Sequence, residues 1–470
     1  MAGVKAALYA SVRETNRRPF GARCGDDRLW IVLDNQHSWD RNKGVKIGGR
    51  KMEAKQGTST MIAIAFIPIV MVLGNSMLVP VLPTMRAKLG LTQFQTSLTI
   101  TLFSLAAGII IPLVGYLSDR FGRKWIIVPS LIIYGIGGII SGLAAWLMEN
   151  SYTIILVGRM IQGIGAAGTA PIAMALIGDL YSGAQESKAL GIIESSNGMG
   201  KILSPIIGSA IALITWYAVF FTFPILCFAV AAYVWFGVKE KKKAEGQPLP
   251  KYLGAVKQIF KDKGRWLIPA FFVGATGLFI LFGVLFYLSD LLEDTYKIDG
   301  MLKGVILAIP LFGMVVTAYI TGAKIKQNKP LIRRVMITGL AILTASMVAV
   351  AFFKQIYLII GLLTVGSIGT GLLLPCLNTL ITGAVEKAER GMITSLYGSV
   401  RFLGVAFGPP IFSWLMKISH KTVFFSMAGL SFVILISTFF FIKPGAKNGG
   451  GTNKEYESGT LFRRNEKAPT

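Results

Sequence analysis

GIIESSNGMGKILSPIIGS, residues Gly191 to Ser209, puts a glutamate, an asparagine, a lysine and a proline into a stretch that is otherwise apolar. Part of it has a counterpart further along the chain. At an offset of 204 residues, GMGKILSPII (198–207) is answered by RFLGVAFGPPI (401–411), so that Gly200 and Pro205 fall on Gly404 and Pro409. At the same offset Gly165 and Pro171 fall on Gly369 and Pro375. Two matched pairs at one offset mark an internal duplication, two copies of one structural unit in a single chain.

Composition says where such units sit. Of the 470 residues 53% are hydrophobic and only 15% charged, far outside the range of a soluble domain this long. Apolar runs near 61–84, 96–117, 125–147, 152–178, 189–214, 218–238, 266–289, 301–323, 335–353, 356–384, 392–416 and 422–442 are each long enough, as helix, to cross a hydrocarbon core of about 30 Å. The sequence therefore predicts an all-α membrane protein of twelve transmembrane helices in two six-helix halves. The first half covers 52–238, the second 266–442, and a polar linker, 239–265, joins them. Repeated halves related by an axis along the membrane normal are one way of building a secondary transporter, with the substrate held between them.

The net charge of +25 sorts by side. Basic residues crowd the loops after the even-numbered spans, among them Arg120, Arg123, Lys124, Lys239, Lys241, Lys257, Lys329 and Arg333, and are sparse in the others. The positive-inside rule then places both termini in the cytoplasm of a cell membrane, and accounts for the charge without nucleic acid. Cys24, Cys227 and Cys376 lie in different segments with no paired spacing, and neither His37 nor His420 falls in a predicted span. No disulfide framework, metal site, haem or other cofactor is expected. The cytoplasmic segments hold no Walker-type phosphate loop and no catalytic pair, which argues against a pump or an enzyme. The expected partners are a small-molecule substrate, protons and the bilayer, with the chain acting as a monomer.

Residues 1–51 are polar, rich in arginine and without periodicity, and Met52 follows Ile-Gly-Gly-Arg-Lys, which an in-frame ribosome-binding site would encode. Met52 is thus the expected start, and residues 443–470 the expected disordered tail. In the linker Leu253, Val256, Ile259 and Phe260 recur at helical spacing among lysines, the pattern of a short helix lying on an anionic membrane surface.

Three motifs carry a resemblance that covers about residues 60 to 442. GYLSDRFGRK (115–124) resembles the hallmark loop of the major facilitator superfamily, and LVGRMIQGIGAAG (156–168) its fourth-helix motif. The stretch quoted first resembles the fifth-helix antiporter signature of the drug:proton antiporter branch. Gly191, Gly200, Pro205 and Gly208 keep that signature as a hinge, while Ser204 and Ser209 replace two of its glycines. The resemblance implies the major facilitator fold and proton-driven multidrug efflux by alternating access. It also implies a conformational latch, built here from Gly115, Asp119, Arg120, Gly122, Arg123 and Lys124 with Asp179, in which a carboxylate faces the N-terminal end of the eleventh helix near Gly391. Many exporters of this branch carry an acid in the first span, where this chain has Asn75 and no Asp or Glu from Thr58 to Thr84.

The physics of the fifth span stands beside the resemblance. At 100° per residue Glu194, Asn197, Gly198, Lys201, Ser204, Pro205 and Gly208 share one arc of roughly 120°. A charge in the bilayer interior costs several kcal/mol unless it meets a partner or a wet cavity. Glu194, Lys201, Arg159 and Arg401 are such charges, and with Asn197, Asn75 and Gln162 they are the expected cavity and proton-coupling residues. Burial disfavours an ionised carboxylate and a neighbouring cation favours it, so a glutamate whose partner changes with conformation can exchange a proton. Three interior cations against one anion lean towards an anionic substrate such as a siderophore or glycolipid. An uptake symporter of the same fold is the remaining alternative.

Overall fold

The computed structural model describes residues 58–181, 183–238, 240, 248–325, 328–383 and 387–442. The N-terminal extension and the tail expected from the sequence lie outside them. The described residues are helical and make twelve spans: α1 (Ser59–Leu89), α2 (Gln93–Phe121), α3 (Lys124–Leu147), α4 (Tyr152–Leu180), α5 (Gly183–Ala212), α6 (Ala218–Gly237), α7 (Leu249–Asp294), α8 (Gly300–Ile325), α9 (Lys329–Val350), α10 (Ile356–Thr382), α11 (Lys387–Met416) and α12 (His420–Phe441). Eleven are long and apolar enough to cross a membrane; α5, with its glutamate, asparagine and lysine, is the one that falls short. Two spans are interrupted. In α1 a helix ends at Ser76 and another starts at Leu82, with Pro80 in the turn between and Pro83 in the first turn of the second, and α4 breaks at Gly168–Thr169 before Pro171. Proline supplies no amide to the helix before it, and so sets each break.

Helix pairing repeats with a shift of six. α1 packs on α5 and α6, α2 on α4, and α3 on α4 and α6; α7 packs on α11 and α12, α8 on α10, and α9 on α10 and α12. Between the halves the principal seams are α2 with α11 and α5 with α8, and the shift exchanges these two. Small residues make the close approaches. A side chain on Gly208 of α5 would collide with the Met77 backbone of α1, and one on Gly404 of α11 with the Ala275 backbone of α7. Without a hydrophobic drive between helices in lipid, this backbone-to-backbone packing is what holds each half.

The α2–α11 seam runs the full depth of the molecule. Thr101 donates to the Ala406 carbonyl at 2.8 Å, Ser399 donates to the Gly108 carbonyl, Gly115 admits Ser395, and Gly391 lies beside Asp119 and Arg123. The α5–α8 seam is tightest in one half of the depth, where Gly304 of α8 fits against Pro205 and Ser209. That end carries the α1–α2 and α7–α8 turns and is called here the far face; the end carrying the α2–α3 loop and the 239–248 linker is the linker face. At the far face Val79, Leu82 and Ile100 of the first half are buried in a core made mostly by the second.

The linker helix differs from expectation. Residues 249–265 are no separate surface helix but the first turns of a 46-residue α7. Ile259 is 4% exposed and, with Val256 and Phe260, packs against Ile325, Ile332 and Ile393 of the second half, so most of the apolar face is covered by protein, while Leu253 stays exposed. Tyr252 stacks edge-on against Tyr116 of α2, with ring centres 5.1 Å apart.

If close approach at the glycines holds the halves together, Gly404→Val and Gly208→Val should each lower stability by about 1–3 kcal/mol. Gly191→Ala should be neutral, because nothing lies within 4 Å of its added carbon. Thermal unfolding in detergent checks both expectations.

Candidate functional site

The geometry of α5 follows from its neighbours. Gly200 and Gly208 turn to α1, where they meet Ile69, Val72 and Met77, while Gly198 meets Val315 of α8. At about 100° per residue, Glu194 and Lys201 point between those two contacts, into the space enclosed by the two halves. Exposure falls along this face: Glu194 is exposed, Asn197 and Lys201 are half-buried, and Ser204, Pro205 and Gly208 are buried. The cleft between the halves therefore opens to the linker face and closes towards the far face.

α11 supplies the opposite wall. Arg401 is the counterpart of Asn197 at the 204-residue offset, and its guanidinium lies over the Tyr397 ring, 5.4 Å from the ring centre. Tyr397 packs on Gly274 and Phe271 of α7. Lys201 lies in the electrostatic field of both Arg401 and Glu194, and Tyr397 in that of Arg401 and Glu194, which brings these four into one neighbourhood. The Asn197 Oδ1, the Tyr397 hydroxyl and the Arg401 Nε are buried atoms with no hydrogen-bond partner within the protein. Buried polar atoms are satisfied almost everywhere in folded proteins, so unsatisfied ones grouped at a cleft are free to receive a polar ligand. Among the described residues neither Glu194 nor Lys201 has an ion-pair partner within 4 Å.

The other interior residues predicted for the cavity sit elsewhere. Arg159 is 0% exposed, inside the first half, and none of its partners is a carboxylate. Its Nε donates to the Thr99 carbonyl at 3.0 Å, one terminal nitrogen to the Gly74 carbonyl at 3.0 Å and Gln162 Oε1 at 2.6 Å, and the other to Asn75 Oδ1 at 3.2 Å. Asn75 Nδ2 donates in turn to Ser104 Oγ at 3.0 Å, and the guanidinium lies 4.3 Å from the Phe103 ring centre. Asn75, Gln162 and Arg159 thus form one cluster among α1, α2 and α4, apart from the Glu194 cleft. Azimuth explains the division: Arg159 turns towards α1 and α2, and a sequence does not say which neighbour a helix face meets.

At the linker face Arg123 is 5% exposed and gathers its partners. It pairs with Asp119 at 2.5 Å and, through Nε, with Asp179 at 3.1 Å, and donates to Ser118 Oγ at 2.6 Å. Gly122 has φ 104°, a conformation that favours glycine, and ends α2. Glu240 accepts from the backbone N–H of Arg123 and of Lys124, each at 2.8 Å, a carboxylate on the positive end of α3. Lys124 donates to the Val238 carbonyl at 2.8 Å and lies over Trp235, and Arg120 lies over Phe121. Of the antiporter-signature residues, Gly200, Pro205 and Gly208 are buried and Gly191 is exposed. Sequence reasoning missed Glu240, which has no signal among the lysines around it, and Tyr397, which the four-residue spacing to Arg401 could have revealed.

A family profile described as Major Facilitator Superfamily matches residues 64–332 and 331–466. The chain is similar to the Bacillibactin exporter of Bacillus subtilis (strain 168), 46% identical over 383 residues that cover 81% of this chain and 95% of that protein. It is also similar to the Multidrug efflux protein YfmO of the same organism, 27% identical over 78% of this chain and 89% of the relative. The class C Tetracycline resistance protein of Escherichia coli is 24% identical over 80% of this chain and 93% of its own. Among solved structures, a bacterial homolog to human lysosomal transporter Spinster, in an inward-facing and occupied conformation, superposes with a TM-score of 0.64 at 17% identity. That superposition covers 83% of this chain and 97% of the other, and speaks for the fold alone.

The two clusters should behave differently. Arg159→Met abandons buried acceptors at about 1–3 kcal/mol each and should deplete folded protein. Lys201→Ala, at a half-open site, should leave unfolding close to that of the unaltered chain. Size-exclusion profiles and melting in detergent separate the two.

Proposed function

The chain belongs to the Major Facilitator Superfamily, and from that premise we propose that it is a secondary active exporter of small organic molecules, driven by proton antiport through alternating access of its two halves. One observation carries the reading: Glu194, Lys201 and Arg401 meet in a cleft between the halves that opens to the linker face and closes at the far face. The linker face is the cytoplasmic one by the positive-inside rule, so both termini are cytoplasmic, and substrate enters from inside.

Within the cleft Glu194 is the proton-exchanging group. In the open cleft it meets water. When the halves rock and the inner end closes, water is lost and Lys201 or Arg401 can pair with it directly, and a change of partners changes its proton affinity. Lys201 and Arg401 hold the substrate, with Asn197 and Tyr397 supplying polar atoms that lack partners of their own. Arg159, with Asn75 and Gln162, keeps α1, α2 and α4 in register. The Asp119–Arg123–Asp179 group is the inner latch, because Gly391 of the other half lies against it. Gly200, Pro205 and Gly208 form the hinge on which α5 changes its packing.

Two substrate classes fit an exporter of this kind. Drug-like compounds match the relatives named for multidrug efflux. An anionic siderophore matches the relative named for bacillibactin, and two cations against one carboxylate favour it electrostatically.

Proteoliposomes with an imposed pH gradient provide the test. Bacillibactin and a cationic dye such as ethidium should be compared for gradient-driven accumulation. If neither is moved by the gradient, export by proton antiport is wrong; if only the dye is moved, the anionic reading is. Glu194→Gln should keep binding and lose active accumulation, since it has no proton to exchange, and wild-type accumulation in that variant would remove Glu194 from the mechanism. Asp119→Asn should stay in the membrane and favour the inward-open state. Cytoplasmic thiol accessibility of a reporter cysteine on α5 should then rise, and normal transport with unchanged accessibility would remove the latch.

A further inference from the structure

At the far face the two halves are tied by charge. Arg86 of α1 pairs with Asp290 of α7 at 2.5 Å and also with Asp294. Gln93 of α2 donates to the second oxygen of Asp290 at 2.7 Å, and Thr84 of α1 to Glu293 at 3.2 Å. Ser289 donates to the Val79 carbonyl at 2.8 Å. Lys303 of α8 donates to the Pro80 carbonyl and pairs with Glu293, both at 2.7 Å. All of these except Lys303–Glu293 cross from one half to the other.

Resting on the proton-antiport reading, we propose that Asp290 is a second proton-binding group, and that the Arg86–Asp290 bridge is an outer gate which a proton from the external side opens. The charges of the cluster argue for it. Three carboxylates, Asp290, Glu293 and Asp294, face two cations, Arg86 and Lys303, and one guanidinium serves both aspartates, a helical turn apart. Neighbouring carboxylates that share a site favour uptake of one proton between them. Of the two aspartates Asp290 is the enclosed one, 8% exposed, in a crevice against Leu82, Pro83 and Phe286 with no room for a water molecule.

Opening the gate takes Arg86 and Gln93 away from Asp290. An ionised carboxylate loses a charge partner in that step, whereas a neutral carboxyl group loses only hydrogen bonds, so the proton and the open gate favour each other. The proton comes from the external side and returns to it. Asp290 thereby sets how export depends on external pH, without adding to the protons exchanged at Glu194.

The groups facing Asp290 are Arg86 from α1, Gln93 from α2, Glu293 and Asp294 from its own helix, Lys303 from α8 and, through Gln93, the Met416 sulfur of α11. Tyr287 lies one turn away, and its hydroxyl is 2.7 Å from His420 Nδ1 of α12, which makes His420 the rival titrating group.

Spin labels on Ala87→Cys and Thr295→Cys, exposed residues at the ends of α1 and α7, report the gate in nanodiscs by pulsed electron–electron distance measurement. At neutral pH one short distance is expected. About two pH units lower a longer population should grow several-fold. Asp290→Asn should show the longer population at both pH values, and Arg86→Gln, which removes the same bridge from the other half, should do likewise. His420→Gln should respond to pH as the unaltered chain does, while Glu293→Gln, which removes one of the three carboxylates, should respond only at a lower pH. An unaltered gate that ignores pH, an Asp290→Asn gate that still responds, or a response abolished by His420→Gln would each overturn the proposal. The readout is a distance and not transport. A responsive gate in a protein that fails gradient-driven export would sink the antiport reading alone, and an unresponsive gate in a working antiporter would sink the gate alone.

Discussion

No charge can rest in hydrocarbon without a partner or water, and the interior of this molecule is arranged around that constraint. It is met in three ways. Arg159 is wrapped by carbonyls and amides and buried for good. Arg86 and Lys303 are paired with carboxylates, mostly across the boundary between halves. Among the described residues Glu194, Lys201 and Arg401 have no ion-pair partner within 4 Å and face an open cleft instead. On the proposed reading the first solution serves as scaffold, the second as gate and the third as ligand site.

The halves are alike in packing and unlike in chemistry. Helix pairs repeat with a shift of six, so backbone approach at Gly208 has its analogue at Gly404. The polar residues do not repeat. Arg401 stands where the first half has Asn197, and valine stands at 405 where the first half has Lys201. On the proposed reading, a symmetric scaffold suits two halves that rock against each other, while unlike residues on the two walls would bias the cleft towards an anionic ligand.

Much of this was legible in the sequence. Matched Gly–Pro pairs at one offset reported the duplication, because close helix approach and helix breaks have strict residue requirements. The shared arc of Glu194, Asn197 and Lys201 was legible because helical periodicity is local. Other features were hidden for physical reasons. Arg159 looks in sequence like the other interior cations, and only tertiary packing turns it away from the cleft. Arg86, Asp290, Glu293 and Lys303 lie near span ends, where charges are ordinary, and their importance comes from elements some 200 residues apart meeting at one point. The linker's amphipathic pattern announced a helix but could not say that protein covers most of its apolar face.

The length of α7 has a mechanical consequence. One uninterrupted helix carries Tyr252, packed on Tyr116, at its linker-face end and Asp290 in the far-face cluster at the other, about 57 Å apart at 1.5 Å per residue. Such a rod behaves as a lever. A tilt of about 10° around its middle displaces the two tips by roughly 5 Å in opposite directions. On the proposed alternating-access reading, pulling one tip free presses the other home, so rigid geometry opposes simultaneous opening at both membrane surfaces, which would let ions leak through, with no relay of side chains needed.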